Sequence, residues 1–525
     1  MCQPSRHSRI PPAKPPSSNC RHQQQTRAAI MAARDAVKAH AAQVELRKAR
    51  AGLIWLLLPK IPYFLRLLLS RLFGMSETAA YVDLSTEITT AIIRSIANPT
   101  ARSIGKAQAL SLLDTGVKGR IWISNAVSEV PPQRGIREAL LDVIVSMGRM
   151  RPRAVRAVRI PAIVPVEAEW TGYRAGAEKD EPLPAISEEL KYEALMKECK
   201  NSTTMLYFHG GGYYLCDPSS HRKLAKRLAK VTGGRVYSVR YRLAPQNPFP
   251  TALLDALVSY LTLLYPPPGS MHEAVPARNI IFAGDSAGGN LALALTQVIL
   301  QLRRQETKVT WFGAKRAVPL PAGITLFSPW LDIVSSMPSW STNQKWDYLP
   351  SPELLDPASA QPPADDVWPA TPPRKRIYVA DALALHPLVS VHLNRSWAGA
   401  PPVWISCGWE CLADENRYLV SRLRADGVSV VFEEYEAMPH VFAAALPKLP
   451  ESERCVQGCA RFVAAARKDP GSIRSSYTCI KAKTLEEREG DVERLTPYKE
   501  RDVFELACSK VGKKISSSSS VGSRL

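Results

Sequence analysis

The sequence predicts an α/β fold in which a mostly parallel sheet carries helices on both faces. Three observations predict this fold class. Short apolar strands alternate with helical stretches between residues 165 and 467, a Gly-x-Ser-x-Gly turn lies between a strand and a helix, and a run of three glycines follows an earlier strand. Strands separated by helices favour parallel pairing, because a crossover helix returns the chain to the same edge of the sheet.

The elements can be placed in order along the chain. Short β-rich runs predict strands at 165–170, 205–208, 235–241, 279–283, 324–327, 403–406 and 428–432. Apolar residues at helical spacing predict helices at 223–231, 255–264, 291–302, 415–425 and 452–467. These elements define a main α/β domain at 161–470.

Other segments differ from this domain in composition. Residues 1–50 carry ten Lys and Arg against two Asp and Glu and are rich in Pro, Ser and Gln, which predicts a disordered basic tail. The proline-rich stretch at 347–376 is expected to be a surface loop or an insertion at the edge of a pocket. Residues 471–525 are expected to form a mobile tail.

Residues 51–75 form the most apolar segment and are long enough to cross a bilayer. Basic residues and prolines interrupt the segment, namely Lys60, Arg66, Arg71, Pro59 and Pro62. A spanning anchor, a helix on a membrane surface and an apolar helix packed on the fold all remain open. The localisation is therefore either membrane-associated, as at the endoplasmic reticulum, or cytoplasmic, and either Met1 or Met31 is the start.

The formal net charge of +20 suggests nucleic-acid binding at first. Much of the excess lies in the basic tail beside the apolar segment, however, so an anionic membrane surface is the partner expected and nucleic acid is not. The ten cysteines have no spacing typical of a zinc site. No metal or organic cofactor is expected, and the oligomeric state stays open.

Ser286 is the predicted nucleophile. Residues 284–288 read Gly-Asp-Ser-Ala-Gly, after an apolar strand and before a helix. In this context the turn holds the serine in a strained bend at the top of the sheet. Glycines fit there because a Cβ on either side would collide with the strand or the helix, and the helix N-terminus stabilises developing negative charge.

The glycine run at 210–212 follows His209 at the end of the strand at 205–208. Its backbone N–H groups, together with that of Ala287, are expected to form an oxyanion hole. Tyr213 and Tyr214 follow the run, and they either line a substrate pocket or pack in the core.

His440 is the predicted base, because it follows a late strand and precedes the last helix of the main domain. The acid that orients it is expected after the strand at 403–406, where both Glu410 and Asp414 occur. Spacing does not choose between these two carboxylates.

Six motifs, in this order, make the chain similar to the hormone-sensitive-lipase-like branch of the α/β-hydrolases: HGGGYYL, YRLAPQNPFPTALLD, GDSAGGNLAL, FSPWLDI, GWECLADE and MPHVF. The match to this branch spans about residues 203–465, and the chain most resembles fungal steryl-acetyl-hydrolase-like and arylacetamide-deacetylase-like members. The resemblance implies an α/β-hydrolase fold with an N-terminal helical cap at 76–160.

The resemblance also implies the roles of individual residues. It implies Ser286 as nucleophile, His440 as base, and Gly210, Gly211 and Ala287 as oxyanion donors. The family's usual aspartate falls on Glu410, which is a glutamate in this chain, so Glu410 is preferred as the acid and Asp414 is the alternative.

The activity implied is that of a serine esterase acting on short-acyl esters of hydrophobic alcohols, such as steryl acetates, through an acyl-enzyme. A broad carboxylesterase or lipase of the same chemistry is the first alternative. A non-catalytic ligand-binding protein on a hydrolase scaffold is the second, and it is disfavoured because His440 is retained. A small hydrophobic ester is therefore the expected substrate.

Overall fold

The computed structural model describes residues 58–148, 155, 158–356 and 359–512. The predicted basic tail at 1–50, the first part of the apolar segment and the last residues of the chain lie outside this range. Within it, helices and strands alternate along most of the chain.

The described residues contain twelve strands. They are β1 Ile121–Ser128, β2 Val166–Tyr173, β3 Thr204–Phe208, β4 Arg235–Arg240, β5 Ile280–Asp285, β6 Val309–Trp311, β7 Ala314–Arg316, β8 Gly323–Phe327, β9 Val403–Gly408, β10 Val430–Tyr435, β11 Ser476–Ile480 and β12 Glu487–Glu489. Ten of them form one sheet in the order β1-β2-β4-β3-β5-β8-β9-β10-β11-β12, while β6 and β7 form a separate hairpin. The pairings from β4 to β11 are parallel, whereas β1, β2 and β12 pair antiparallel at the two edges. The predicted α/β fold with a mostly parallel sheet is confirmed.

The helices are α1 Ile61–Leu72, α2 Leu84–Ile96, α3 Ile104–Ser111, α4 Gly135–Met147, α5 Glu188–Glu198, α6 Pro218–Thr232, α7 Thr251–Leu264, α8 Ala287–Arg304, α9 Ser339–Thr342, α10 Pro352–Leu355, α11 Ala413–Ala425, α12 Phe442–Ala445, α13 Pro450–Lys468 and α14 Glu500–Lys510. Short 3₁₀ turns complete the connections. Every strand and helix predicted within 161–470 is present, most of them longer than predicted at one or both ends.

Side-chain alternation along the central strands builds one apolar core on each face of the sheet. In β3, Leu206 and Phe208 belong to the core under α7 and α8, while Met205 and Tyr207 belong to the core under α6 and α13. All five residues of β3 are buried. Both faces are covered, which is why the central strands are continuously apolar.

Three expectations about the flanking segments need correction. The region at 76–160 is not wholly helical, because β1 lies within it and pairs with β2 over eight residues. The segment at 471–512 is not a loose tail, because β11 extends the parallel sheet beside β10 and α14 follows. The proline-rich insertion is only partly a surface loop, since Asp347 and Trp368 are buried within it.

In the part of the chain that the structure describes, no helix is both long and apolar enough to cross a membrane.

Candidate active site

Ser286 lies in a tight turn between β5 and α8, with φ of 50° and ψ of −121°. A non-glycine residue rarely adopts a positive φ, so the backbone of this turn is strained as the motif predicts. Added Cβ atoms would strike the carbonyl oxygen of Gly288 at position 284 and that of Phe208 at position 288. The close approach of strand and helix therefore requires both glycines. Ser286 is half-buried, whereas its neighbours in the turn are buried.

The structure brings His440 and Glu410 together at the carboxyl ends of the parallel strands β10 and β9. The Nδ1 atom of His440 lies 2.9 Å from Oε1 of Glu410, and both side chains are almost fully buried. The other oxygen of Glu410 accepts hydrogen bonds from the Ser328 hydroxyl at 2.6 Å and the Gly408 N–H at 3.1 Å. The carboxylate is thus held by three donors, which fixes the orientation of the imidazole, and no residue in the described part of the chain hydrogen-bonds its Nε2.

Burial and charge act in opposite directions on His440. Desolvation disfavours the imidazolium, but the attraction and hydrogen bond of Glu410, followed by the charge of Asp347, outweigh it. The pKa of His440 is therefore raised above its ordinary value of 6.5. A histidine of this kind accepts a proton readily once the pH exceeds its pKa.

Asp414 occupies a different environment from Glu410. It lies in the first turn of α11, where its carboxylate accepts the Ser339 N–H at 2.9 Å and lies 3.5 Å from the Arg417 guanidinium. An acid in the first turn of a helix is favourable in its own right. Asp414 therefore ties the first turn of α11 to the start of α9, and of the two candidate acids only Glu410 hydrogen-bonds the imidazole of His440.

The oxyanion donors differ from the expected set. The N–H of Gly210 donates to Oδ1 of Asp285 at 3.1 Å, so it is already used, and the expectation that Gly210 is an oxyanion donor is wrong in this conformation. Among the described residues none accepts from the N–H of Gly211 or Gly212. The N–H of Ala287 lies at the start of α8, where helix N–H groups have no intrahelical acceptor.

The available set of donors is therefore Gly211, Gly212 and Ala287. Gly212 belongs to the glycine run that the sequence predicts for the oxyanion hole, although the resemblance implied only Gly210 and Gly211 of that run. Gly211 and Gly212 have φ of 106° and 60°, a region that glycine enters without strain.

Asp285 is the centre of a second polar cluster beside Ser286. Its carboxylate accepts the Tyr207 hydroxyl at 2.5 Å and the Gly210 N–H, and it lies 3.3 Å from Nε2 of His221. Burial alone favours the neutral acid, but His221 and Tyr207 outweigh burial and hold the pKa of Asp285 below its ordinary value. This charged carboxylate anchors the glycine run to the serine turn.

The two tyrosines after the glycine run have different surroundings. Tyr213 is 1% exposed, donates its hydroxyl to Asn290 at 2.7 Å and stacks on Tyr378 with ring centroids 3.7 Å apart. Of the two alternatives left open for Tyr213, the structure shows core packing. Tyr214 is half-buried and packs beside Trp368 of the proline-rich insertion, so it stays a candidate for the pocket.

Two residues that sequence reasoning missed support the site. Ser328, just after β8, donates to Glu410 and accepts the Val441 N–H at 3.0 Å. Asp347 is fully buried, and its carboxylate accepts the N–H of His440 at 3.1 Å and that of Cys411 at 2.8 Å. Asp347 therefore links the two loops that carry the histidine and the glutamate. Ser328 lies in the recognisable FSPWLDI motif, whereas no local pattern marks Asp347.

Comparison with known proteins agrees with this architecture. A family model described as alpha/beta hydrolase fold matches residues 205–444. The chain is 32% identical over 268 residues to an acetyl-hydrolase of Streptomyces hygroscopicus, a match that covers 51% of this chain and 77% of that protein. It is 30% identical over 278 residues to an esterase of Acinetobacter venetianus, covering 52% of this chain and 77% of that protein.

Among solved structures, the chain is similar to an esterase from the bacterial hormone-sensitive lipase family. The two are 24% identical with a TM-score of 0.41, and the match covers 65% of this chain and 99% of that one.

Proposed function

The chain belongs to the hormone-sensitive-lipase-like α/β-hydrolases, and on that premise we propose that it is a serine carboxylesterase of the acetyl-hydrolase type. The observation that carries the proposal is the 2.9 Å hydrogen bond between His440 Nδ1 and Glu410 Oε1, which is buried at the carboxyl ends of the parallel strands, where Ser286 follows β5. A histidine oriented by a carboxylate is the base that a serine hydroxyl requires.

In the proposed acylation step, the Ser286 oxygen attacks the ester carbonyl carbon while His440 Nε2 takes the hydroxyl proton. Glu410 stabilises the imidazolium that forms, and the N–H groups of Gly211, Gly212 and Ala287 bind the oxyanion. The carbon–oxygen bond to the alcohol then breaks, and the alcohol leaves with the proton from His440.

In the proposed deacylation step, His440 takes a proton from water, and the hydroxide oxygen attacks the acyl-enzyme carbonyl. The bond to Ser286 breaks, the serine recovers its proton from His440, and a carboxylic acid is released. Both steps use the same donors, because each passes through a tetrahedral oxyanion.

The finer proposal is that the substrates are short-acyl esters of hydrophobic alcohols, with steryl acetates as the test case. Similarity to the acetyl-hydrolase of Streptomyces hygroscopicus supports the acetyl group. Other relatives, at 28% identity, are named a lipase of a Moraxella species and a carboxylesterase/phospholipase of Mycobacterium tuberculosis. A broad carboxylesterase or lipase is therefore the alternative that the substrate test must separate.

The Ser286→Ala variant tests the chemistry. We expect hydrolysis of p-nitrophenyl acetate to fall by at least about 10⁴-fold, because the nucleophile is lost while binding remains. Ser472→Ala, which removes an exposed serine hydroxyl, is the matched control and should keep full activity. Full activity in Ser286→Ala would overturn the assignment, and a wild type with no esterase activity that still binds a hydrophobic ester would favour a ligand-binding protein.

The substrate class is tested with p-nitrophenyl esters from acetyl to palmitoyl, together with a steryl acetate. The proposal expects the highest kcat/KM with the shortest acyl chains and release of acetate from the steryl ester. A maximum at palmitoyl would replace the acetyl-hydrolase proposal with a lipase.

A further inference from the structure

Helix α1 presents an unusual concentration of exposed apolar residues. Of 18 exposed large hydrophobic residues in the described part of the chain, nine lie between Leu58 and Met75. Leu72 and Phe73 are 71% and 72% exposed, and Leu67 is the one buried residue of α1. Soluble surfaces rarely carry a contiguous apolar patch of this kind unless something covers it.

The basic residues of the segment explain how this apolar face arises. Lys60 turns toward α2 and donates to the Ser95 hydroxyl at 2.8 Å. Arg71 also turns inward, where its Nε lies 2.6 Å from Glu87 and its guanidinium donates to the Val82 carbonyl. Two of the three basic side chains that interrupt the segment are thus bound to the protein beneath the helix, and of the three only Arg66 is exposed.

We infer that α1 is a docking surface for an anionic lipid bilayer and lies in the plane of the membrane. The outer face combines Ile61, Leu65, Leu69 and Leu72, and the segment from 58 to 75 contains no acidic residue. This is the composition of a helix whose apolar face enters the boundary between headgroups and acyl chains. Arg66 can extend its apolar stem along this face and keep its charge among the headgroups.

Contacts and charge favour a helix on the surface over one that crosses. Lys60 and Arg71 tie the two ends of α1 to α2, which holds this helix against the folded chain. The preceding residues 1–50 supply ten basic side chains against two acidic ones, which an anionic leaflet attracts. This charge complementarity makes an anionic bilayer, rather than a second protein, the occupant that fits.

The position of α1 indicates that docking would bring the candidate active site close to esters dissolved in the bilayer, a role that rests on the proposed function. The chain after α1 puts the Tyr81 ring 5.4 Å from that of Trp409, the neighbour of Glu410. Arg94 of α2 donates to the Asp347 carbonyl at 2.9 Å, and the Asp347 carboxylate accepts the His440 N–H. The membrane-facing helix thus sits on the elements that border the site, where a hydrophobic ester dissolved in the bilayer would reach it.

Vesicle flotation of the full chain tests the docking surface. The wild type is expected to float with vesicles of phosphatidylcholine and phosphatidylserine, and to float less with phosphatidylcholine alone or at high salt. The triple variant Leu65→Glu/Leu69→Glu/Leu72→Glu should lower the partition coefficient by at least about tenfold, because each change puts a charge on the inserted face. The matched control is Ile186→Glu/Leu190→Glu, two exposed apolar positions far along the chain, which should float as the wild type does.

Several results overturn the inference. A wild type that stays at the bottom of the gradient contradicts the docking surface. A triple variant that floats as well as the wild type contradicts it too. If the wild type fails to float and sediments as a dimer that the triple variant converts to a monomer, the face is an interface between copies. If neither floats and only the triple variant is cut readily by protease, the chain's own N-terminal residues cover the face.

Hydrolysis of p-nitrophenyl acetate in solution separates this inference from the proposed function. The triple variant should keep the wild-type kcat/KM on this soluble ester, which also shows that it is folded. An active wild type that does not float defeats the docking surface alone, whereas an inactive wild type that floats defeats the proposed esterase alone.

Discussion

Two histidine–carboxylate pairs border the turn of Ser286, and they differ in their contacts. His440 and Glu410 are 2.9 Å apart and both almost fully buried, with Ser328 and Gly408 completing the hydrogen bonds of the carboxylate. In the other pair, Nε2 of His221 lies 3.3 Å from Oδ2 of Asp285. The second carboxylate also accepts a tyrosine hydroxyl and the N–H of the glycine run.

The difference indicates separate tasks for chemically similar groups. Glu410 lies within 2.9 Å of its imidazole, and its charge and hydrogen bond raise the pKa of that imidazole, His440. Asp285 lies farther from its histidine, at 3.3 Å, and accepts the N–H of Gly210, so it holds in place the glycine run that is proposed to bind the oxyanion. The first pair is proposed to move a proton, and the second to hold a backbone in place.

The largest effect is expected at the acid of the first pair. Glu410→Ala should lower kcat by about 10³-fold, because the imidazole loses the group that sets its tautomer and stabilises its charge. Asp414→Ala, four residues away, is the matched control and should change kcat by no more than about threefold. Steady-state kinetics with p-nitrophenyl acetate checks both variants, and the reverse ranking would contradict the comparison.

A smaller effect is expected at the carboxylate of the second pair. Asp285→Asn should lower kcat by about 10²-fold with little change in KM, because a loosened glycine run stabilises the oxyanion less well. Affinity for a boronic acid inhibitor should fall in parallel. If kcat fell but boronate affinity stayed at the wild-type value, Asp285 would not act through the oxyanion donors.

The smallest effect is expected at Asp347, whose carboxylate accepts the backbone N–H of His440 while Glu410 binds the imidazole ring. Asp347→Asn should lower kcat by about tenfold. Because the Asp347 charge helps to raise the pKa of His440, its loss should lower that pKa. The base is neutral above its pKa, so the acid limb of the kcat/KM profile should move to lower pH. An acid limb that does not move would show that Asp347 acts on geometry alone.

Ser286 and His440 could be proposed as site residues from the sequence because their signals are local. Each lies in a short motif between a strand and a helix, so the residues next to it in the sequence are enough to recognise it. Glu410 could be chosen over Asp414 only by resemblance, since both follow the same strand and spacing does not reveal which side chain turns toward the histidine.

The contacts that escaped prediction join distant parts of the chain. Asp285 meets Gly210 across 75 residues, and Asp347 meets His440 across 93 residues. The outer strands β1 and β11 were missed for a similar reason, because each is recognised as a strand only through its partner in the sheet. The inward orientation of the Lys60 and Arg71 side chains could not be predicted either, because it depends on hydrogen-bond acceptors supplied by α2 and the chain before it.

The most direct measurement compares the two histidines in a stopped-flow burst experiment with p-nitrophenyl acetate, followed by mass spectrometry of the peptide that contains Ser286. The wild type and His221→Ala should both release a burst of p-nitrophenolate and carry an acetyl group on Ser286. His440→Ala should show neither, because the serine has no base to take its proton. A burst retained in His440→Ala and lost in His221→Ala would contradict the account and assign the chemistry to the second pair.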